Sequence, residues 1–418
     1  MHNQPWDGRM KRTIYIYSAC DRFNYGDLLF PIILKNLFLK SFGDKYDIEV
    51  LGTIESDLSS YGALKTKPIR QIFSSKHPVD GSILIIGGGE VLPISWNMIC
   101  SLLDCFPADV VNVVKKISRK FNFLHTLTNK LCNIMSRRML CPNLRYPFLV
   151  SNSDFKSNVK VIYNTIGCTM VKSLPISERG IIREKLLKTS YVSVRESASV
   201  EALSELNLQR ERIHLAPDSA IVCSEVFTKG EILNLALSAT RDFIQKNSNN
   251  YICFQVSEHS ARGKYSLIAE QLQQISHMYN MPILLLPIGY VHGDQTALEL
   301  LKKEIKAPTI MPSHASVFNI MASIAFCRIF IGTSLHGNIT ALSFGVPHLG
   351  LGPKGGKLDL FLNTWDIPEQ AECALVTKFA QRINAIMTVS SGERNSNRDE
   401  MVDKYRQCFR NIVGIIEG

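Results

Sequence analysis

His336 stands in Arg328-Ile-Phe-Ile-Gly-Thr-Ser-Leu-His-Gly-Asn338, where a short apolar run stops at a glycine and two hydroxyl residues follow. Residues 329–331 read as a buried strand, and Thr333 or Ser334 as the cap of the next helix, which puts His336 in that helix's first turn. Free N–H groups at such a helix start favour an anion, and imidazoles move protons near neutral pH. A capped helix carrying a satisfied histidine is the other reading. Agreement with other segments has to decide between them.

Five further segments carry chemistry-bearing residues at strand-to-helix junctions. Asn24-Tyr-Gly-Asp27 opens the first apolar helix, with Asp27 placed as its N-cap and Asn24 and Gly26 suited to a tight turn facing the cleft. Gly87-Gly-Gly-Glu90 closes a strand, and its glycines let the backbone approach a ligand closely. Leu92 stands where the last glycine of a dinucleotide fingerprint would be, so neither a nicotinamide nor a flavin is indicated. Arg195 ends the strand 191–195 and reads either as a bidentate grip on a carboxylate or phosphate, or as a salt bridge to Glu196 or Glu201. Asp218, after Pro217, orients a donor side chain or makes an Asx turn. Lys354 and Lys357 lie on the glycine-rich stretch 352–357, as phosphate-meeting cations or as part of a solvated loop.

Apolar runs and helix-prone stretches alternate along the chain, as a doubly wound α/β fold requires. Strands are expected at 13–18, 47–51, 82–86, 159–164, 191–195 and 213–215, and after about residue 225 a second series runs through 251–256, 282–287, 329–331 and 346–351. The pattern predicts two doubly wound Rossmann-like domains facing one cleft. The first is placed at 1–225, with a basic insertion at about 100–155, and the second at 226–418. Residues 391–397 read as an exposed tail, and a final helix over 398–416 as one that crosses back onto the first domain.

With 418 residues, 45% hydrophobic and 20% charged, the chain has the composition of a soluble globular protein. No run approaches the roughly 20 apolar residues of a membrane span, and the polar start has no signal-peptide core, so a cytoplasmic location is expected. Eleven cysteines without paired CxxC spacing read as reduced thiols rather than as a zinc site or disulfide frame. The net charge of +10 asks for an anionic partner, and no zinc-finger, RNP or basic-zipper pattern points to nucleic acid. Residues 110–153 contain no acidic side chain, and Lys115, Lys116, Arg119, Lys120, Lys130, Arg137, Arg138 and Arg145 alternate there with apolar residues. The segment over 110–145 is either a basic amphipathic helix at the inner face of an anionic membrane or a helix packed on the sheet with a solvated basic face.

Taken in order, five segments resemble the polysaccharide pyruvyl transferase family: Asn24-Tyr-Gly-Asp27, Ile86-Gly-Gly-Gly-Glu90, Ser193-Val-Arg-Glu-Ser197, Ala216-Pro-Asp-Ser-Ala220, and Ser334-Leu-His-Gly337 with Gly345-Val-Pro347 and Lys357 behind it. The resemblance implies a GT-B-like fold and transfer of the enolpyruvyl unit of phosphoenolpyruvate to a sugar hydroxyl pair, leaving a pyruvate ketal and phosphate. The acceptor it implies is a cell-surface polysaccharide or its lipid-linked precursor. His336, Arg195 and Asp27 are then the catalytic candidates. Asn24, Gly26, Gly88, Gly89, Asp218, Ser334, Leu335, Gly337, Lys354 and Lys357 are the substrate-binding ones. His336 would act as a base kept neutral by the helix start, and the route uses no metal and no cofactor beyond the donor. Many members carry arginine where this chain has Ser334, and Lys354, Arg262 or Lys264 are candidates to replace that cation. The competing functions are a nucleotide-sugar glycosyltransferase of the same architecture and a non-catalytic glycan-binding member.

Overall fold

The computed structural model describes residues 11–418 apart from 74–77, 79, 104, 106–108, 110, 114–121, 291–292, 313 and 315. Lys115, Lys116, Arg119 and Lys120 of the basic stretch therefore lie outside the described residues.

Strands β1 (Thr13–Tyr17), β2 (Asp47–Gly52), β3 (Lys67–Pro68), β4 (Ile83–Ile86), β5 (Gly89–Glu90), β6 (Lys160–Gly167), β7 (Tyr191–Val194) and β8 (Ile213–Leu215) form the first sheet. Its order is β3-β2-β1-β4-β6-β7-β8, with β5 pairing β6, and every pairing is parallel. The second sheet holds β9 (Ile252–Gln255), β10 (Ile283–Leu285), β11 (Thr309–Ile310), β12 (Ile329–Gly332) and β13 (His348–Gly350) in the order β11-β10-β9-β12-β13, again all parallel. This is the doubly wound α/β class predicted from the alternation.

The strands are near-continuous apolar runs because helices cover both faces of each sheet. Side chains alternate between the two cores, as the period of two demands. Ile14 and Ile16 of β1 join one core, while Tyr15 and Tyr17 join another. In the second sheet Ile252, Phe254, Ile329 and Ile331 pack outward, while Cys253 and Phe330 face the core that holds Ile14 and Ile16. One apolar core thus runs from the inner face of the first sheet into that of the second.

Helices used below are α1 (Tyr25–Phe42), α2 (Trp96–Cys100), α3 (Asn122–Leu140), α4 (Ser197–Ser204), α5 (Leu335–Ser343), α6 (Lys357–Trp365) and α7 (Ser391–Glu417). Tyr25, Gly26 and every residue from Leu28 to Leu34 of α1 are buried, so the first half of this helix is enclosed on all sides. Residues 391–397 are largely exposed, as expected, but they are helical rather than a tail. Ser390 and Glu393 form a capping box that starts α7 seven residues earlier than the apolar pattern suggests. The helix lies on the first sheet, where Lys160 Nζ donates to Ile415 O (2.7 Å), Tyr405 Oη donates to Asn164 Oδ1 (3.4 Å) and Phe409 meets Phe38.

In an open α/β sheet the ligand crevice lies where the strand order reverses. That point is between β1 and β4 in the first sheet and between β9 and β12 in the second. The loops after these four strands begin at Ser18, Gly87, Val256 and Thr333, and together with the helix starts they lead into they carry most of the candidate residues.

Candidate active site

Ser334 has extended backbone angles and its Oγ accepts from Gly337 N (3.2 Å), so it is the N-cap of α5 and His336 falls in the first turn. The Ser334 amide is already engaged, because it donates to Gln255 Oε1 (2.8 Å). Gln255 Nε2 in turn donates to Asp294 Oδ2 (2.7 Å), which also accepts from Ile288 N (3.1 Å) and Gly289 N (2.8 Å). This buried chain fixes the start of α5 from below. Burial pushes the Asp294 carboxyl up to about 6, against the bonds it accepts. Of the first-turn donors, the amides of Leu335 and His336 are the two that neither the cap nor Gln255 takes up.

The His336 ring packs edge-on against Phe30 of α1, with centroids 5.1 Å apart. A Cβ on Gly26 would stand 1.8 Å from His336 Nδ1, so only glycine admits the ring there. Gly88 repeats the theme: its φ of +113° favours glycine, and a Cβ would lie 2.7 Å from the Phe30 ring that backs His336. Gly89 also has positive φ, at +88°. His336 Nε2 is buried and lies 3.5 Å from Asp218 Oδ2. The accessible part of the side chain, 14%, is therefore on the other edge, where Nδ1 faces the start of α1.

Asp218 follows β8 and is fully buried. Its Oδ1 accepts from Ala220 N (3.0 Å), so the Asx-type turn and the donor-orienting role coexist in one carboxylate. Burial pushes this carboxyl up, but His336, Arg195 and the Ala220 amide outweigh it and hold it below its ordinary value.

Arg195 departs from the open anion grip that the strand-end position suggests. Its side chain is 1% exposed and sits among Glu196 Oε2 (2.9 Å from Nε), Asp218 Oδ2 (3.4 Å from Nη1) and Glu90 Oε2 (3.3 Å from Nη2). Burial lowers its pKa, yet the three carboxylates more than restore it and the guanidinium stays charged. A buried cation with every fork occupied is a positioning group, and Glu90 is the member of this cluster that the sequence left without a role. Its place directly after three glycines at a strand end was the available signal. Trp365 Nε1 donates to Arg195 O (2.6 Å), tying α6 to the same point.

Asp27 is not the N-cap expected of it. Asn24 is, with φ of −136°, and Asp27 falls in the first turn, where Oδ2 accepts from Asn24 Nδ2 (2.9 Å) and pairs with Arg22 (3.5 Å). Gly26 is likewise inside the helix rather than in a turn before it. The reason is register: the helix begins as soon as the chain leaves Asn24, at Tyr25, one residue before Gly26.

Lys357 opens α6 and lines the cleft, where water reaches it although protein surrounds it on most sides. This crowding and the charge of Arg195 push its pKa below the ordinary lysine value, while Asp27 and Glu90 work against the shift. Among the described residues no carboxylate lies within 4.0 Å of its ammonium, so it is an unpaired cation of the site. The loop before it is held by Asp359, whose two oxygens accept from Gly355 N (2.8 Å) and Cys373 N (3.1 Å). Lys354 is exposed on that loop and is not drawn into the cluster. Arg262 is engaged by Glu258 (2.5 Å), and Lys264 Nζ donates to Ser260 O (3.3 Å). Among the described residues no group of three His, Cys, Asp or Glu side chains is placed to hold a metal ion.

The sequence profile described as polysaccharide pyruvyl transferase matches residues 24–355. The chain belongs to that family. No curated protein matches it. Solved structures of similar fold include the UDP-GlcNAc 2-epimerase of Methanocaldococcus jannaschii in complex with UDP-GlcNAc and UDP, at 10% identity and a TM-score of 0.51 over 91% of this chain and 94% of that one. The S. aureus MnaA–UDP structure gives 10% and 0.52 over 93% and 91%. Anabaena Alr3699/HepE in complex with UDP and glucose gives 11% and 0.50 over 96% and 100%. At such identities the likeness shows the fold alone, which is the GT-B-like arrangement. The structure brings together Gly26, Arg195, Asp218 and His336 by direct contact and Gly88 through the Phe30 ring, with Asp27 and Lys357, which lies just past the matched span, close enough to influence one another.

Proposed function

We propose that the protein transfers the enolpyruvyl unit of phosphoenolpyruvate to a hydroxyl pair of a cell-surface polysaccharide or its lipid-linked precursor. Family membership across residues 24–355 supports the reaction class, and the observation that carries the mechanism is the buried line Arg195–Asp218–His336.

Asp218 Oδ2, 3.5 Å from His336 Nε2, is placed to receive the Nε2–H once the contact tightens, which leaves the Nδ1 lone pair free on the accessible edge. Nδ1 takes the proton of the first sugar hydroxyl as its oxygen bonds to C2 of the donor, and the imidazolium returns a proton to C3, which becomes the methyl group. The C2–O bond to phosphate then breaks, the second hydroxyl of the same sugar bonds to C2, and its proton leaves with the phosphate. The sum is diol plus phosphoenolpyruvate giving ketal plus inorganic phosphate. Lys357 and the Leu335 and His336 amides meet the donor's anionic groups. The glycines at 26, 88 and 89 let substrate and ring approach the backbone. Asn24 holds Asp27 in place beside Lys357.

Incubation with phosphoenolpyruvate and candidate acceptors is expected to release phosphate, and His336→Ala to abolish the release. Robust turnover by that variant would remove His336 from the mechanism.

A nucleotide-sugar glycosyltransferase is the second reading, favoured by the UDP found in structures of similar fold. It requires stabilisation by UDP or GDP, of roughly 2.7 kcal/mol at about 100 times Kd, and none by phosphoenolpyruvate. Ser334 in the place of the family's arginine supports a third, a glycan-binding member without turnover, which would bind the acceptor and release no phosphate.

A further inference from the structure

From Leu127 onward helix α3 packs one mixed face on the protein, with Cys132 and Leu140 in an apolar core, and presents a second, apolar face to water. Cys132, Ser136 and Leu140 are its buried positions, and Asn97 of α2 donates to Asn133 Oδ1 (3.1 Å) and to Asn129 O (3.4 Å). Facing outward are Leu127, Leu131, Ile134, Met135 and Met139, which are 57, 52, 42, 46 and 43% exposed. Their spacing of four, three, one and four residues places all five on one stripe. Isolated exposed apolar residues are ordinary, but a continuous stripe of them along one helix marks a docking surface. Met98 on α2 and Val113 are exposed as well, at 48 and 57%.

The charge on this stripe selects the partner. Lys130 and Arg138 are exposed among the apolar residues, and positions 110–153 hold no Asp or Glu. A second copy docking through the same face would set these cations against each other. An anionic bilayer offers what the surface lacks: an apolar interior below a layer of phosphates. We propose that α3 is a peripheral membrane helix, with the five apolar side chains entering the acyl boundary of an anionic bilayer and Lys130 and Arg138 meeting lipid phosphates. It lies on the bilayer, since among the described residues no helix is long and apolar enough to cross one.

The position of α3 connects this surface to the cleft. α2 follows Glu90 after a short loop, and Trp96 Nε1 donates to Leu144 O (3.0 Å), binding the docking segment to the end of the sheet that carries Glu90 and Arg195. A glycan carried on a lipid would arrive beside the site. Only this last link rests on the proposed transfer reaction; vesicle binding itself does not.

The test is co-sedimentation of the full chain with vesicles of phosphatidylglycerol in phosphatidylcholine, and with phosphatidylcholine alone. Binding to the anionic vesicles that weakens with salt is expected, along with at least a tenfold loss in Leu131→Glu/Met135→Glu. Lys130→Gln/Arg138→Gln should weaken binding roughly fivefold per cation removed. Both pairs are solvent-exposed, so the thermal midpoint and far-UV spectrum should stay unchanged. Absence of binding by the native chain, or equal binding by the glutamate pair, would overturn the proposal. So would a concentration-dependent dimer that the glutamate pair dissolves, which would assign the stripe to a second copy. Vesicle binding without any phosphate release from phosphoenolpyruvate would uphold the docking helix and sink the transferase reading.

Discussion

Arg195 and His336 meet on one oxygen: Asp218 Oδ2 lies 3.4 Å from the guanidinium Nη1 and 3.5 Å from the imidazole Nε2. The guanidinium comes from the end of β7 and the imidazole from the first turn of α5, so the carboxylate joins the two sheets. Arg195 lowers the pKa of Asp218 and so favours its ionised form, and in the proposed transfer it would act on the chemistry through that carboxylate. The pair His336 and Asp218 has the geometry of a general base and its orienting acid. Its 3.5 Å separation is a loose contact of the kind that tightens when substrate binds.

Asp218→Asn tests that relationship. Asparagine can keep the bond from Ala220 N, but its amide does not stabilise an imidazolium. Phosphate release should fall about 10²- to 10⁴-fold in kcat with little change in KM for the donor. The midpoint of unfolding should also drop, since Arg195 loses one of three buried counter-charges. Full turnover by this variant would remove Asp218 from the support of the base.

Two glycines in helices give opposite expectations. At Gly180 a Cβ meets nothing within 4 Å, so Gly180→Ala should stabilise the protein by about 0.5–1 kcal/mol through helix propensity. At Gly26 the same Cβ would lie 1.8 Å from His336 Nδ1. Gly26→Ala should displace the ring and remove most turnover while the fold survives. Thermal midpoints and phosphate release for both variants check the contrast, and an active Gly26→Ala enzyme would mean the ring is free to move.

The residues of the site were legible because continuous apolar runs announce parallel strands, and ligands gather where such strands end. Asn24, Gly88, Arg195, Asp218 and His336 all fell out of that rule. What each touches was not legible, because those partners come from distant parts of the chain. Arg195 had a neighbour visible in Glu196, but Glu90 and Asp218 reach it only once β6, with β5 paired to it, and β8 lie on either side of β7. Asp27 was misplaced by three residues because Asn24 and Asp27 are both good caps, and the packing of Gly26 against His336 decides between them. Residues 391–397 looked like a tail because their polarity hides a helix started by Ser390 and Glu393. The outward face of α3 was hidden for the opposite reason. Its basic amphipathic pattern was visible, but the bonds from Asn97 that fix which side faces inward were not.

Asp294 should give stability a pH dependence of its own. Its carboxyl rises from 3.8 to about 6 on folding because burial outweighs the bonds it accepts. Between about pH 4 and 6 the unfolded chain has lost this proton and the folded one keeps it, so raising the pH favours unfolding. The contribution is full below pH 4 and is lost as the pH passes 6, on the order of 3 kcal/mol in all. Asp294→Asn should erase that slope and be the more stable form at pH 8. Urea unfolding at pH 4.5, 6 and 8 checks it, and parallel curves for both proteins would show that Asp294 ionises without cost.

Lys357 is the cleft cation left for the donor once Arg195 is accounted for by Glu90, Glu196 and Asp218. Removing it as Lys357→Met should raise KM for phosphoenolpyruvate at least tenfold, about the worth of one charge-assisted contact, and change kcat less. Its pKa is lowered by crowding and by Arg195, so the amine sheds its proton at a lower pH than an exposed lysine does. Donor binding should therefore weaken as pH rises through that lowered value. Arginine stays charged throughout, so Lys357→Arg should carry binding to higher pH even where its different shape costs affinity at neutral pH. The measurement is kcat/KM for the donor from pH 6 to 10 in the three proteins. An alkaline fall of the same position in native and arginine enzymes would assign the titration to another group and leave Lys357 as a bystander on the cleft wall.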